Sequence, residues 1–539
     1  MQTTASSPAF VEKGLLDTLF GERRRPHPAL AAVGALAVVA GLALRFWAPS
    51  ALWLDETISV NIARLPVRQI PGALAHDGAP PLYYVLLHYW MALFGTGDVA
   101  VRALSGVISV LTLPVFWIAG RRLGGRTVGW VTFFLALSSP FAINYATTTR
   151  MYSLMILLSL LGFIALSAAY EDPTPGRRVA VGAVTAALLY THYWGVYLVL
   201  AAALWLMWRI YRSGRRRSVL NAMIIGGLVW LPWAPVFIFQ TLHTGTPWTT
   251  SANPGDLLTV FADWSGSGPW GGLLMYATFL LFIIGTFGRT AAPGTRVLLA
   301  DADGRVRQAE AGPAVVIELK PRPGMAPMVG IGVATLIVAV ALGAVADAAF
   351  VARYTAVVLP LFLLVMGAGV AVIPGRRFRV GCVAVLVVAG LMTGQTENAA
   401  TRTQAVSVAT VLNAQAQPGD LVIYCPDQLG PAVDRLLTVR GVSEITFPRA
   451  IGPQRVNWVD YRQTISSTNV SQFAQAAITR VTANHTVWLV WRDGYAGLGG
   501  DCGYLQSWLN LLRPSAGVTL VHANSKTYYE FENLTRYTG

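Results

Sequence analysis

The sequence predicts an α-helical, polytopic membrane protein followed by a soluble α/β domain, and three observations predict it. Of 539 residues, 54% are hydrophobic and only 12% charged, against roughly 25% charged in an average soluble chain. Mean hydropathy is +0.52, too high for a single anchor, since a span needs about 20 apolar residues and such stretches recur throughout. From Thr393 onward, polar residues with many Gln and Asn replace the apolar blocks, which marks the soluble part. Three cysteines exclude a disulfide scaffold, and the wealth of Leu, Val, Ile and Trp excludes disorder. A net charge of +14 would suit a nucleic-acid binder. The basic residues, however, sit in short clusters between apolar runs, which is a pattern of topology, so no nucleic-acid partner is expected.

Residues 1–28 are polar and carry Arg23, Arg24 and Arg25 just before an apolar run from Leu30 to Trp47. Leu44-Arg45-Phe46-Trp47 offers no small-residue cleavage site, so the run reads as a retained span with its N-terminus in the cytoplasm. Further spans near 99–120, 127–143, 151–170, 179–191, 196–211, 219–240, 271–288, 327–346, 355–373 and 380–394 give about eleven crossings. With an inside start, the clusters Arg121 to Arg126, Arg177-Arg178, Arg212 to Arg217, Arg296 to Arg322 and Arg376 to Arg379 all fall in the cytoplasm. The membrane domain is then 29–394, with a long external loop at 49–98, and residues 395–539 form an extracytoplasmic domain. In that domain Leu421 to Tyr424 followed by Pro431 to Leu437 reads strand, loop, helix, and Val487 to Trp491 reads as a buried strand. Val518 to Phe531 alternates like paired edge strands. Cys425 and Cys502 both lie there, where a disulfide is permitted but not decided by spacing.

The outer face collects most residues capable of chemistry. Right after the first span stand Asp55 and Glu56, and an ionisable group at bilayer level is a functional-site hypothesis by default. The plainer reading is an N-cap, with Asp55 or Thr57 capping the next helix. Neighbours on a helix point about 100 degrees apart, so these two carboxylates cannot flank one scissile bond. Asp55 is read as a general base facing the acceptor, and Glu56 as an orienting or cation-binding partner. Ile58, Ile62 and Leu65 then recur at helical spacing, with Arg64 between them, as in an amphipathic helix on the outer membrane surface. Asp77-Gly78-Ala79-Pro80-Pro81 fixes a bend into an apolar run at Val85 to Phe94. An aromatic belt would account for the tyrosines before it, more readily for Tyr84 than for Tyr83.

Leu54-Asp55-Glu56, Asp77 to His88, Arg102-Ala103-Leu104-Ser105 and Gly120 to Gly124 together resemble the GT-C membrane glycosyltransferases that use polyprenyl-phosphate sugars. The resemblance continues at Ser138-Ser139-Pro140, Tyr145, Arg150 to Leu154, Tyr190 to Tyr193 and Arg353-Tyr354. It is strongest to bacterial members of glycosyltransferase family 39, relatives of protein O-mannosyltransferases and aminoarabinose transferases. It implies inverting transfer of a sugar, mannose first, from a polyprenyl phosphate to an acceptor hydroxyl of a lipoglycan, cell-wall glycan or protein at a bacterial plasma membrane. Asp55 matches the family's catalytic acid residue, and Glu56 its neighbour. A phosphate leaving group needs no general acid, so the protein must supply a base and cations near the phosphate. Arg150 and Arg353 are expected phosphate contacts, with Arg64 on the surface helix. Asp77, Tyr83, Tyr152, His192 and Tyr354 are expected around the sugar and phosphate. No cofactor is required, and a divalent cation is left open. Ala79, Thr147 and Thr148 depart from the family pattern, which often has His at the first position and Gln-Glu at the others. An arabinofuranosyl or aminosugar donor is the alternative within the class. A lipid or sugar flippase is the alternative outside it, although transporters place polar groups at mid-membrane rather than at one face.

Overall fold

In the computed structural model the described residues are 28–214, 216–244, 251–290, 296–300, 306–310, 315–345, 349–495, 498–513 and 515–538. The expected cytoplasmic N-terminal segment, with Arg23 to Arg25, lies outside them. Each expected span falls on helix. Among the described residues seven helices are long and apolar enough to cross a membrane unaided: Asp98–Ser138, Tyr152–Glu171, Trp194–Ser213, Arg217–His243, Gly268–Phe287, Ala326–Val345 and Arg376–Ala399. The first of these is two helices in series, because the backbone leaves helical geometry at Gly124 and at Gly125, whose φ of +80° suits only glycine. Pro28–Leu44, Pro175–Thr191 and Leu359–Val372 are the shorter helices on the remaining expected spans.

Leu359–Val372 is buried along nearly its whole length and forms the centre of the bundle. Hydrocarbon offers no hydrophobic drive between helices, so close backbone approach through small residues supplies the packing. A Cβ added at Gly285 would come 2.0 Å from the Val365 carbonyl, and one at Gly369 would come 2.3 Å from the Leu281 carbonyl. The first helix is held differently. Pro140 has no N–H, so the helix Asp98–Ser138 ends with unpaired carbonyls. Arg45 is buried and donates to the Ala136 and Leu137 carbonyls at 2.8 Å each, and to the Gly41 carbonyl at 2.6 Å.

The segment 49–98, expected to be external, folds as helices Leu54–Ala63, Ile70–Ala75 and Leu82–Phe94. The last has 13 residues, short of the about 20 a crossing needs. Leu54–Ala63 corrects the expectation of a helix lying on the membrane surface: eight of its ten residues are buried, Ser59 and Thr57 among them. The cause is the C-terminal domain, which covers it. Asn61 donates to the Gln454 carbonyl at 2.7 Å, and nearby Trp458 donates its backbone N–H to His76.

That domain begins after Ala399 and is built on a five-stranded sheet. Its order is Ser443–Thr446, Leu421–Cys425, Val487–Trp491, Asn533–Tyr537, Val518–Val521, the first three strands parallel and the last two antiparallel to their neighbours. The strand, loop, helix reading holds at Leu421–Cys425 and Gly430–Asp434. The tail differs from the expected edge pair: Val518–Val521 pairs with Asn533–Tyr537, whereas Tyr528–Glu530 joins Thr401–Thr403 in a separate two-stranded sheet. Cys425 and Cys502 form a disulfide across 77 residues, tying the inner strand Leu421–Cys425 to the helix Asp501–Leu512. Closing so long a loop restrains the unfolded domain, and removing a native bridge commonly costs about 2–5 kcal/mol. The double variant Cys425→Ser/Cys502→Ser should therefore melt well below the parent in a thermal-shift assay, with the difference abolished when both are measured under strong reductant.

Candidate functional site

The first outer helix carries Asp55 and Glu56 in its first turn, and the two side chains go to different places. Glu56 is completely buried. Arg102 donates to it through both arms, Nε to Oε1 at 2.9 Å and Nη2 to Oε2 at 2.6 Å, while the Thr149 N–H donates to Oε1 at 2.9 Å. Arg402, from the C-terminal domain, stands 3.7 Å from Oε2. Burial pushes this carboxyl's pKa up, but the two guanidinium groups and the Thr149 N–H outweigh burial and hold it below the usual range. Arg402 also donates to the Thr147 carbonyl (2.9 Å), Thr147 Oγ1 (2.8 Å), Thr148 Oγ1 (3.2 Å) and Asn144 Oδ1 (3.1 Å). The two threonines that depart from the family pattern thus bind an arginine of this chain.

Asp55, one residue earlier, faces a cavity of about 700 Å³, which Asp77, Arg150, His192, Arg353 and Tyr354 also line. Asp55 Oδ2 lies 3.4 Å from Arg353 Nη2 and has no hydrogen-bond partner. Arg150 reaches the cavity from the loop that Glu56 pins. Its Nη1 donates to the Tyr84 hydroxyl at 3.2 Å and to Ser59 Oγ at 3.3 Å, and Tyr84 donates in turn to Asp77 Oδ2 at 3.0 Å. Burial raises the pKa of Asp77, which Arg150 and Tyr84 oppose and Asp55 reinforces. The Nε atoms of Arg150 and Arg353 are buried without partners, so both retain a donor. His192 packs at a tilt of 51° against Tyr354, with ring centroids 4.7 Å apart, and accepts the Trp194 N–H on Nδ1. Burial, helped by Arg150 and Arg353, pushes its pKa down to about 3, so the ring is neutral.

Six of the ten expected site residues therefore share one cavity, and four stand outside its wall. Glu56 belongs to the buried pair beneath it. Arg64 is exposed at the end of its helix, near Asp434 and Arg435 of the C-terminal domain, and does not approach the cavity. Tyr83 turns away to Ser105 Oγ at 3.0 Å, and Ser105 supports the Arg150 carbonyl at 3.2 Å. Its neighbour Tyr84, expected to be a belt residue, makes the contacts to Asp77 and Arg150. Tyr152 is buried behind the wall, its ring 6.2 Å from His192 and 6.4 Å from Tyr354. Not anticipated from sequence were Gln428, Arg492, Tyr495, Tyr529 and Glu530, which roof the cavity from the C-terminal domain. Membrane helices add apolar lining, with Phe237, Ala339 and Leu342. Among the described residues no group of three or more His, Cys, Asp or Glu is arranged to hold a metal ion. A second cavity, of about 670 Å³, lies between spans and is mostly apolar, and none of these site residues lines it.

Residues 78–239 match the family model described as dolichyl-phosphate-mannose-protein mannosyltransferase. No curated protein matches the chain. The fold is similar to that of ArnT from Cupriavidus metallidurans bound to undecaprenyl phosphate, with a TM-score of 0.55 at 12% identity over 94% of this chain and 98% of that one. The apo state of the same protein gives the same TM-score and identity over 97% of its length. The Archaeoglobus fulgidus oligosaccharyltransferase in complex with zinc and sulfate scores 0.46 at 11% identity over 85% of this chain and 67% of its own. The chain is thus a multi-pass membrane protein whose residues 78–239 are similar to that family model and whose fold, along almost its entire length, is similar to that of ArnT.

Proposed function

We propose that the protein moves a sugar, mannose first, from a polyprenyl monophosphate carrier to an acceptor hydroxyl of a lipoglycan, cell-wall glycan or protein outside the cytoplasm of a bacterium. The observation that carries this reading is the shared cavity, whose lining joins the carboxyl groups of Asp55, Asp77 and Glu530 and the guanidinium groups of Arg150, Arg353 and Arg492 with apolar side chains of membrane helices. The acceptor oxygen attacks the anomeric carbon from the face opposite the phosphate. The carbon–oxygen bond to phosphate breaks, its electron pair leaves with the phosphate, and the acceptor proton passes to Asp55. Arg150 and Arg353 meet the charge growing on the leaving phosphate, as charge-assisted hydrogen bonds do best in a water-poor site. The apolar wall would take the first isoprene units of the carrier. The undecaprenyl phosphate held by ArnT supports a lipid phosphate carrier, and the matched family model supports mannose. The Cys425–Cys502 bridge supports an oxidising compartment for the C-terminal domain.

His192 is neutral and offers a hydrogen bond rather than a charge, so it would orient a sugar hydroxyl. Glu56 acts through the residues around it and is a positioning residue.

Purified protein supplied with radiolabelled polyprenyl-phosphate mannose and membrane acceptors should form labelled glycan. Carrier sugar moved across vesicles without product would instead mean a flippase, and product only from arabinofuranosyl or aminosugar carriers would reassign the donor. Asp55→Asn keeps the shape and removes the base, so kcat should fall by at least about 100-fold with an unchanged melting temperature. Glu56→Gln should behave in the opposite way: two buried guanidinium groups lose their counter-charge, and the about 3–5 kcal/mol typical of a broken buried pair should appear as poor folding and a lowered melting temperature. Because His192 carries no proton to lose between pH 5 and 8, His192→Gln should raise the donor KM yet leave both limbs of the pH–rate profile in place.

A further inference from the structure

The roof of the cavity comes from the C-terminal domain, and the transferase reading leaves its polar groups unused. Gln428 is 2% exposed and lines the cavity, yet its Oε1 has no hydrogen-bond partner. Glu530 is 4% exposed and lines the same space. The Thr403 hydroxyl and the Leu54 N–H hold its carboxyl, while Oε2 has no partner. A buried acceptor without a partner costs about 1–3 kcal/mol, so two of them on residues that line one cavity argue for a ligand whose groups pair with both as it seats. Around them stand aromatic rings. Tyr529 meets Trp53 edge to face at 5.4 Å, and Arg492 lies over Phe531 at 3.5 Å and over Tyr495 at 4.9 Å, which fixes its guanidinium plane.

We propose that this roof is the acceptor subsite and that it recognises a saccharide, through Gln428 and Glu530 as hydrogen-bond partners and Tyr495 and Tyr529 as aromatic platforms. The proposal rests on the transferase reading and names its acceptor class. A sugar ring suits the roof in two ways. Its C–H face packs on aromatic rings, and its several hydroxyls both donate and accept. The Gln428 carbonyl oxygen accepts one such hydroxyl. Burial, with Asp55 close by, pushes the Glu530 carboxyl up to about 8. It is therefore protonated at neutral pH and donates through its free oxygen. A serine or threonine of a protein acceptor brings a single hydroxyl, which the base Asp55 requires, and its backbone N–H and C=O groups offer no C–H face to Tyr495 and Tyr529. Apolar residues of membrane helices and polar residues of the C-terminal domain line the same cavity as Asp55, so carrier and acceptor would both reach that base.

The test uses the full chain in detergent or nanodiscs with the radiolabelled polyprenyl-phosphate sugar that the wild type turns over. Acceptors are octyl glycosides of mannose, glucose, galactose and arabinofuranose on one arm, and a serine- and threonine-rich peptide on the other. Label on an octyl glycoside and not on the peptide supports the proposal. Label on the peptide alone, or release of free sugar with neither acceptor labelled, overturns it. Gln428→Ala should raise the KM for the glycoside about tenfold, the loss of one good hydrogen bond, while the donor KM moves by less than about twofold. Glu530→Gln keeps a donor and should recover much of what Glu530→Ala loses. A Gln428→Ala variant whose donor KM rises and whose glycoside KM stays constant would place the roof on the donor side and overturn the assignment. Wild-type protein that consumes no carrier sugar at all would instead sink the transferase reading, and the acceptor subsite with it.

Discussion

The cavity depends on a carboxylate that never enters it. Glu56 binds Arg102 of the helix Asp98–Ser138 through both oxygens, takes the N–H of Thr149, and lies close to Arg402 at the start of the C-terminal domain. Four segments far apart in sequence therefore meet on one buried charge. A buried ion pair is weak evidence of net stability, because desolvation consumes most of the Coulombic gain. Its effect here is on arrangement: each segment is placed by a directional, charge-assisted bond that no other register would satisfy. Arg150 comes directly after the pinned Thr149. Asp55 precedes Glu56 by one residue, so the same anchor that turns Glu56 into the protein turns Asp55 about 100 degrees away, toward the cavity.

This division suits the chemistry. A base must exchange protons and cannot also be the fixed counter-charge of a structural guanidinium. Adjacent carboxylates on one helical turn solve the problem locally, one locked and dry, the other facing a space of about 700 Å³ with an oxygen that has no hydrogen-bond partner. The cations show the same split. Arg102 and Arg402 are saturated by carbonyls, hydroxyls and Glu56, whereas Arg150 and Arg353 each keep an unpaired Nε. Preorganised donors that need no rearrangement are worth most where charge develops on a leaving group.

Legibility in the sequence tracked energetic cost. A charged residue beside a bilayer is expensive, so Asp55, Asp77, Arg150 and Arg353 stood out and line one cavity. The spans were legible because apolar length and basic clusters are one-dimensional signals. Phase was not. Tyr83 and Tyr84 are neighbours, and which of them faces Arg150 depends on which side of Leu82–Phe94 meets the bundle. Arg64 was misplaced for the same reason, since a cation near the interface can face water at little cost. The surface helix was misread because amphipathic spacing says that one face is apolar, not what covers the other. Gln428, Arg492 and Glu530 lie more than 370 positions from Asp55, and only tertiary structure joins them. Glu530-Phe531-Glu532 was the available signal: two acids in a tail otherwise made of strand-forming residues, both buried.

That tail also explains why the soluble domain and the membrane domain function together. Tyr528–Glu530 pairs with Thr401–Thr403, and Arg402 in the middle of that strand reaches Glu56. Two backbone hydrogen-bonded strands thus carry the roof of the cavity at one end and the anchor of its base at the other. A shift of the C-terminal domain would move Glu530, Arg402 and, through Thr147 and Thr149, Arg150 together. On the proposed transferase reading, orientation of the acceptor, the base and the phosphate contacts is accordingly one mechanical variable rather than three. Such coupling matters in a displacement at carbon, where a misplacement of about 1 Å can cost on the order of 100-fold in rate. A soluble domain that merely captured glycan would need no such strand. Its attachment at the buried Glu56, which places Arg150 and Asp55, makes it part of the body that shapes the cavity.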